Sequence, residues 1–141
     1  MEIRNRKTDE VIYQSEANTI KELVEKAVKE GVSLKYANLR DADLEGTQLS
    51  NSDLRDANLY YADLCGAYLC DADLRGADLS GAYLYGADLS YADLGGADLS
   101  KAKLRGAYLV NADLSDAENV PENLPMACPK EGSFVGWKKV E

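Results

Sequence analysis

The chain has little of what enzymes use for nucleophilic chemistry. Its 141 residues include no histidine and three cysteines, Cys65, Cys70 and Cys128. Without histidine, Cys65 and Cys70 lack the base that usually activates a cysteine nucleophile. Three cysteines are too few, and odd in number, for a disulfide framework, which favours a reduced compartment. The composition therefore predicts a protein that is not an enzyme and that needs no cofactor.

The chain also lacks long apolar runs, and its 16 basic residues are outnumbered by 25 acidic ones. No stretch is long and apolar enough to cross a membrane. The N-terminus, MEIRNRKTDE, carries charges where a secretion signal needs an apolar core, which predicts a cytoplasmic protein. The net charge is −9, and residues 33–117 hold 14 acidic and 7 basic groups, or −7 of that total. Because nucleic acids and anionic membranes need a basic surface, we expect no direct binding to either.

A repeat of five residues fills the middle of the chain. Residues 76–100 read GADLSGAYLYGADLSYADLGGADLS, with leucine at every fifth position and alanine two places before each leucine. On an α-helix, five residues turn the chain by about 500°, so the leucines would scatter around the cylinder. On a strand, an odd spacing sends successive leucines to opposite faces. The period fits a solenoid that turns once per repeat and points every alanine and leucine inward.

The repeat runs from Leu34 to Leu114, seventeen leucines without a gap. The position two before is alanine with few exceptions, such as Val32, Thr47 and Ser52, which are also small. The unit is therefore A-(D/N)-L-x-x. The leucines in the centre of this run are the predicted structural core: Leu54, Leu59, Leu64, Leu69, Leu74, Leu79, Leu84, Leu89, Leu94 and Leu99.

These motifs resemble the pentapeptide-repeat family over about 85 residues. The resemblance implies an all-β solenoid, a right-handed quadrilateral β-helix in which four repeats make one coil. About four coils are then expected for residues 32–117. The period alone gives the inward leucine and alanine, whereas the four-sided coil and its hand come from the family.

Each end of the solenoid is predicted to carry a cap, because an uncapped solenoid exposes its core. Residues 1–31 contain a capping box at Thr19–Glu22 and an apolar stripe from Ile20 to Val28, which predict a capping α-helix that Gly31 ends. The preceding segment, EVIYQSE, fits a short strand. Residues 118–141 hold three prolines and the chain's single Phe and Trp, Phe134 and Trp137. We expect this segment to form a small apolar cap or an oligomerisation contact.

With twenty residues per coil, residues twenty apart stack in columns, and each side of the coil becomes a wall. Wall 1 stacks Asp53, Asp73, Asp93 and Asp113 in one column. Lys35, Arg55 and Arg75 lie in a second column of the same wall, each two residues after a position of the first column. Wall 2 stacks Asn38, Asn58, Asp78 and Asp98. Wall 3 contains Asp43, Glu45, Asp63, Tyr83, Tyr85, Lys103 and Arg105, and ends at corner glycines. Wall 4 contains Gln48, Ser50, Tyr68, Cys70, Asp88, Ser90, Tyr108 and Val110.

The recurring aspartates admit three interpretations. They are solvated wall residues, calcium ligands or catalytic acids. Because they recur on several walls instead of meeting in one cleft, and because the calcium-binding solenoid signature is absent, solvated walls are favoured. We therefore predict no catalytic residue and no metal site.

Two functions from different classes fit these walls. The first is a non-catalytic protein-interaction or scaffold module with an unidentified protein partner. Its candidate interface is Tyr68, Cys70, Tyr108 and Val110, because interfaces are enriched in tyrosine and depleted of charge. The alternative follows from the family resemblance. Some members are acidic dimeric rods that occupy the DNA site of a type II topoisomerase, and walls 1 and 2 would supply the acidic face, with Asp53, Asp73, Asp93, Asp113, Asp78 and Asp98.

Four coils make a rod of about 20 Å, which matches about six base pairs, so the DNA-mimic alternative is the weaker one. We also expect a homo-oligomer, since a small domain buries a small share of its own surface. Its contact is predicted at the C-terminal segment with Phe134 and Trp137, or at the wall of Tyr68 and Tyr108.

Overall fold

The N-terminal part of the chain is a hairpin followed by a helix. A computed structural model describes residues 1–122 and 124. Strand β1 (Glu2–Arg4) pairs antiparallel with β2 (Val11–Gln14), and helix α1 (Ile20–Lys29) follows. The sequence indicated β2 and α1 but not β1, because Glu2–Arg4 is short and its only buried apolar side chain is Ile3.

Helix α1 begins with the expected cap. The Thr19 hydroxyl accepts a hydrogen bond from the Glu22 amide at 3.1 Å, while the Glu22 carboxylate accepts from the Asn18 amide at 2.8 Å. These bonds satisfy amides that have no partner inside the first turn of a helix. The helix ends at Lys29, and Gly31 follows with a φ of +72°, the left-handed conformation that glycine adopts at little cost. Leu23, Val24 and Ala27 form its buried face.

The repeats wind into coils of twenty residues. Parallel bridges join residues twenty apart, from Asn38–Asn58 to Asp98–Glu118, and they occur on all four walls. The leucine amides donate to the carbonyl nineteen residues later, as Leu79 does to Asp98 at 2.9 Å. The backbone hydrogen bonds therefore run between coils, along the solenoid.

Leucine and alanine fill the interior. All seventeen repeat leucines are buried, including the ten predicted core leucines from Leu54 to Leu99, and the alanines from Ala57 to Ala112 lie between them. Thr47 and Ser52 take two alanine positions near the start of the solenoid, and both are buried. The Thr47 hydroxyl donates to the Leu44 carbonyl at 2.6 Å, whereas within the described residues the Ser52 hydroxyl has no partner.

Each corner is a four-residue turn from leucine to the next inward residue. At one such corner the Ala82 amide donates to the Leu79 carbonyl at 3.0 Å, and Gly81, the third residue of the turn, has a φ of +68°. A type II turn requires a positive φ at this position, which favours glycine and asparagine. Ten corners nevertheless carry a residue other than glycine in that conformation, and two of the ten are asparagine: Tyr36, Asp41, Asn51, Asp56, Tyr61, Asp71, Tyr91, Lys101, Asn111 and Asp116.

The hairpin and helix contact the first coil. The Asn38 amide donates to the Arg4 carbonyl at 2.7 Å, and the Gln48 amide donates to the Glu25 carboxylate at 3.0 Å. In later coils the equivalent amides bond to the preceding coil, as Asn58 does to Ala37. Amides on the open side of the first coil thus gain partners from the N-terminal elements, and Ile3, Leu23 and Val24 join the buried core.

Candidate interaction surfaces

The outward aspartates and asparagines hold the walls in shape. On every wall, a side chain at this position accepts a hydrogen bond from the amide two residues later, as Asp63 does from Cys65 at 3.0 Å and Asp93 from Gly95 at 2.9 Å. This is the Asx turn, which short carboxyl and amide side chains form with their own backbone. The aspartates are therefore structural on each wall. The signal was present in the sequence as a D/N-L-x pattern, but solvation was the simpler interpretation of it.

Serine strengthens this turn on wall 2. Asp78 accepts from both the amide and the hydroxyl of Ser80, and Asp98 does the same with Ser100. Asn119 adds a bond to the Ser100 hydroxyl at 2.8 Å. These donors, the Ser100 hydroxyl first, hold the pKa of Asp98 below its usual range. Each of these two neighbouring carboxylates of wall 2 thus has a local hydrogen-bond donor.

Wall 1 alternates acids and bases instead of stacking acids alone. Arg55 forms a bidentate salt bridge with the Asp53 carboxylate, with hydrogen bonds of 2.8 and 2.9 Å. The Nε atom of Arg55 also lies 3.6 Å from the Asp73 carboxylate of the next coil. Arg75 chelates Asp73 in turn and lies 3.5 Å from Asp93. We call this alternating series the Asp–Arg ladder. It ends at Asp93, because Gly95 and Ser115 occupy the positions where the next arginines would stand.

The Asp–Arg ladder changes the acidity of its members. Arg55 donates to Asp53 and Arg75 donates to Asp73, and each lowers the pKa of that carboxyl group. The Ser33 hydroxyl donates a hydrogen bond of 2.5 Å to the Asp53 carboxylate and lowers its pKa further. Asp113 lies beyond the last arginine, and its pKa is lowered chiefly by the Ser115 hydroxyl and amide. Lys35 lies over the Tyr36 ring at 5.0 Å, so the first base of this wall contacts an aromatic ring.

Wall 4 presents tyrosine to solvent. Tyr68 is 48% exposed and Tyr108 is 54% exposed, and both bridge to Asp88 in the coil between them. Cys70 and Val110 are half-buried on the same wall. The structure thus places these four candidate interface residues on one wall. The remaining two, Phe134 and Trp137, lie outside the described residues.

The two described thiols are not poised for reaction. Burial raises the pKa of Cys65 to about 11, with a further contribution from the Asp63 carboxylate. Burial and Asp71 also raise the pKa of Cys70. Because the thiolate is the nucleophile, a raised pKa makes both less reactive at neutral pH. Among residues 1–122 and 124, no three cysteine or carboxylate side chains are arranged to hold a metal ion.

Wall 3 changes in character from coil to coil. Its first column runs Asp43, Asp63, Tyr83, Lys103, and its second runs Glu45, Cys65, Tyr85, Arg105. The rings of Tyr83 and Tyr85 lie 6.3 Å apart and are exposed. The corner next to this wall carries glycine in each coil, at Gly46, Gly66, Gly86 and Gly106. In the described part of the chain, no helix has the length and apolarity needed to cross a membrane.

Solved structures similar to this chain share its repeat. HetL, a pentapeptide repeat protein involved in heterocyst differentiation regulation from the cyanobacterium Nostoc sp. strain PCC 7120, is 51% identical over 57% of this chain and 38% of its own, with a TM-score of 0.55. The protein alr5209 from Nostoc PCC 7120 is 37% identical over 80% of this chain and 93% of its own, with a TM-score of 0.50. QnrB1, a plasmid-mediated fluoroquinolone resistance protein, is 26% identical over 57% of this chain and 43% of its own, with a TM-score of 0.53.

The chain therefore spans about two fifths of the HetL chain that it matches. No curated protein matches it. The family model for pentapeptide repeats matches eight copies within residues 33–118. Proteins of this family fold as right-handed quadrilateral β-helices and are generally non-catalytic. With that model covering more than half of its residues, the chain belongs to the pentapeptide-repeat family.

Proposed function

We propose that this chain is a non-catalytic protein-interaction scaffold whose partner binds wall 4. The observation that carries the proposal is the exposure of Tyr68 and Tyr108 on wall 4. Among the eight outward residues of this wall, Asp88 is the only one with a charged side chain. Tyrosine offers a large contact area at low entropic cost, and sparse charge lowers the desolvation that binding requires. The partner is a protein, and the setting is the cytoplasm.

The repeat backbone supports this role. Bridges from coil to coil hold Tyr68, Asp88 and Tyr108 in one column. Side chains held on a regular backbone lose less freedom on binding than side chains on a loop. About four coils, with the N-terminal helix and the C-terminal segment as caps, complete the proposed architecture.

DNA mimicry is not favoured as the function. On wall 1, Arg55 and Arg75 pair with the acids that would imitate phosphates. A rod of about 20 Å also imitates only about six base pairs of duplex. In a gyrase supercoiling assay we therefore expect weak or absent inhibition, and potent inhibition at sub-micromolar protein would restore this alternative.

The test is capture of partners from the native cell lysate by the unmutated protein and by a Tyr68→Asp/Tyr108→Asp variant. We expect a protein that binds the unmutated chain to be lost with the variant, because charge in a dry contact is costly. Affinity is then measured with the two purified proteins. The matched control is Asn38→Asp/Asn58→Asp, which adds the same charge to wall 2 on the opposite side of the coil.

Retention of every captured protein by the Tyr68→Asp/Tyr108→Asp variant would overturn the assignment of wall 4. Equal loss with the wall 2 control would show that the added charge, and not its position, weakens binding. Both variants keep the inward leucines, so matching circular dichroism spectra would confirm that the coils remain folded.

A further inference from the structure

Wall 3 and the corner beside it carry opposite charges at their two ends. In the first coil they present Asp41, Asp43 and Glu45, which we call the acidic rung. In the last coil the equivalent positions are Lys101, Lys103 and Arg105, the basic rung. All six side chains are exposed. Between the rungs lie Tyr61, Asp63 and Cys65 in one coil, and Gly81, Tyr83 and Tyr85 in the next.

This order is self-complementary under a two-fold rotation. If a second copy lies antiparallel on wall 3, with the axis between the Asp63 and Tyr83 rungs, each acidic rung meets a basic rung. The same rotation places Asp63 opposite Tyr83 and Cys65 opposite Tyr85. A two-fold interface requires such a patch, in which residue i meets j and j meets i. A parallel arrangement would instead set three acids against three acids, which repel.

The charges at the two rungs are available for such a contact. Among residues 1–122 and 124, one ion pair involves a rung residue, and it joins the Asp41 carboxylate to Arg40 Nε at 3.1 Å. Lys21 donates to the Glu45 carbonyl at 2.6 Å, so one more base lies beside the acidic rung. Lys101 occupies a corner with a φ of +57°, where lysine is disfavoured relative to glycine or asparagine. Lys101 nevertheless places a base at this corner, beside Lys103 and Arg105 of the same coil.

The middle rungs supply an apolar centre. Tyr83 and Tyr85 are 38% and 42% exposed, and their rings contact each other on the wall surface. The Asp63 carboxylate would accept a hydrogen bond from the Tyr83 hydroxyl of the second copy. Sheets that pack face to face lie about 10 Å apart, which long side chains such as tyrosine, lysine and arginine span.

We propose that a second copy of this chain docks antiparallel on wall 3, to form a closed dimer that leaves both copies of wall 4 free. Four coils span about 14 Å from the first to the last rung, so the contact is smaller than the roughly 800 Å² per partner of a standard interface. The dimer is therefore weak, and it dissociates as salt rises, because exposed charges are screened.

The test uses two charge-reversal variants measured by sedimentation equilibrium at low salt. The acidic variant is K103E/R105E and the basic variant is D43K/E45K, and the corner residues stay unchanged because of their positive φ. We expect each variant alone to self-associate at least about tenfold more weakly than the unmutated chain, since four cross-dimer charge pairs become repulsive. An equimolar mixture of the two is expected to form a heterodimer, because both ends of the antiparallel contact are then complementary.

The control is the full swap D43K/E45K/K103E/R105E, which has the net charge of the unmutated chain and restores complementarity within one sequence. It is expected to dimerise as the unmutated chain does. A full swap that stays monomeric while folded would overturn the proposal, as would an unmutated chain that is monomeric at hundreds of micromolar.

Two other contacts are distinguished by the same measurement. Loss of the dimer with W137A, or with Tyr68→Asp/Tyr108→Asp, but not with the charge-reversal variants would place the contact elsewhere and overturn the proposal. Growth beyond twice the monomer mass of 15.4 kDa would indicate head-to-tail stacking instead of a closed pair. If a variant fails to fold, the salt series on the unmutated chain decides, because a dimer that persists unchanged to 1 M salt contradicts charge pairing.

Discussion

The inside and the outside of the coils follow different rules. Inward positions repeat every five residues, and the same two residue types, leucine and alanine, return on all four walls. Outward positions share only the Asp or Asn that precedes most leucines, and beyond that each wall has its own series: the Asp–Arg ladder on wall 1, paired Asp and Ser on wall 2, a charge gradient on wall 3 and tyrosine on wall 4.

The difference separates stability from recognition. The inward residues are the same on all four walls, so they determine that the chain folds into a solenoid but do not distinguish one wall from another. The outward series distinguishes one wall from another and one coil from the next. Because the outer residues take little part in the core, those that do not form Asx turns are free to change with small effects on folding. Substitutions of inward residues are therefore expected to change the stability more than substitutions of outward residues.

The largest effect is expected inside. Leu79→Ala should lower the free energy of unfolding by about 2–5 kcal/mol, because truncation of a buried leucine loses its transfer energy and leaves a cavity. Leu79 has neighbours in the coils above and below, whereas Leu114 belongs to the last complete repeat, so Leu114→Ala should cost less. Urea denaturation of both variants measures the values. Equal losses would mean that the coils are not stacked in this register.

A smaller effect is expected at the corners, where inside and outside meet. Gly66→Ala places alanine at a φ of +62° in open space and should cost about 1–2 kcal/mol of unfolding free energy. Gly81→Ala has a similar φ, but its added Cβ would lie 2.8 Å from the Tyr61 ring. The Tyr61 ring must then shift from its edge-on packing against Tyr60, where the ring centroids lie 4.5 Å apart, so about 1 kcal/mol more is expected.

Thermal unfolding of the two glycine variants provides the comparison. In a Tyr61→Asn background the two should cost the same, because asparagine keeps the left-handed corner and removes the ring. If Gly81→Ala remained the more costly variant in that background, the contact with Tyr61 would not be its cause.

The smallest effect is expected on wall 1. Asp53 and Asp73 have pKa values lowered in the folded chain, so their contribution to stability is present above the unfolded pKa of about 4. That contribution decreases as the pH falls below the unfolded pKa and is lost once the pH falls through the lower folded pKa, because the unfolded chain binds protons before the folded chain does. Removing the bases with Arg55→Met/Arg75→Met should therefore lower the melting temperature slightly at pH 7 and less at pH 3.

A control for this prediction is Lys29→Met, which removes a positive charge from the exposed last turn of α1, where the described residues show no ion pair with it. Its effect should not depend on the pH between 3 and 5 in the same way. The pKa values of the aspartates can also be followed directly by NMR titration. An Asp73 that titrates in its usual range in the unmutated chain would contradict the Asp–Arg ladder.

Much of the interior could be predicted from the sequence, because its period is short and uniform. Seventeen leucines at one spacing leave few ways to bury them together, and the structure buries each one. The twenty-residue coil did not follow from the period, since a turn per repeat allows any number of sides. It came from the family resemblance, and the bridges between residues twenty apart agree with it.

The outer contacts were predicted less well. Walls were assigned correctly once the coil was known, but the Asx turns were not anticipated, because an exposed aspartate has the same appearance in sequence whether or not it bonds to its own backbone. The chelation of Asp53 by Arg55 depends on side-chain rotamers, which spacing does not determine. The hairpin strand Glu2–Arg4 was missed because three residues carry too little pattern.

The backbone bridges also determine how such a chain can change in length. An insertion of one repeat would keep every leucine inside, since the interior repeats every five residues. It would also rotate all later residues by one side of the coil, so that Lys103 would no longer lie in the column of Asp43, Asp63 and Tyr83. The interior tolerates insertions in multiples of five residues, whereas the columns of outward side chains stay aligned only when the insertion is a multiple of twenty residues. Evolution by duplication can therefore lengthen this solenoid without loss of recognition only by whole coils.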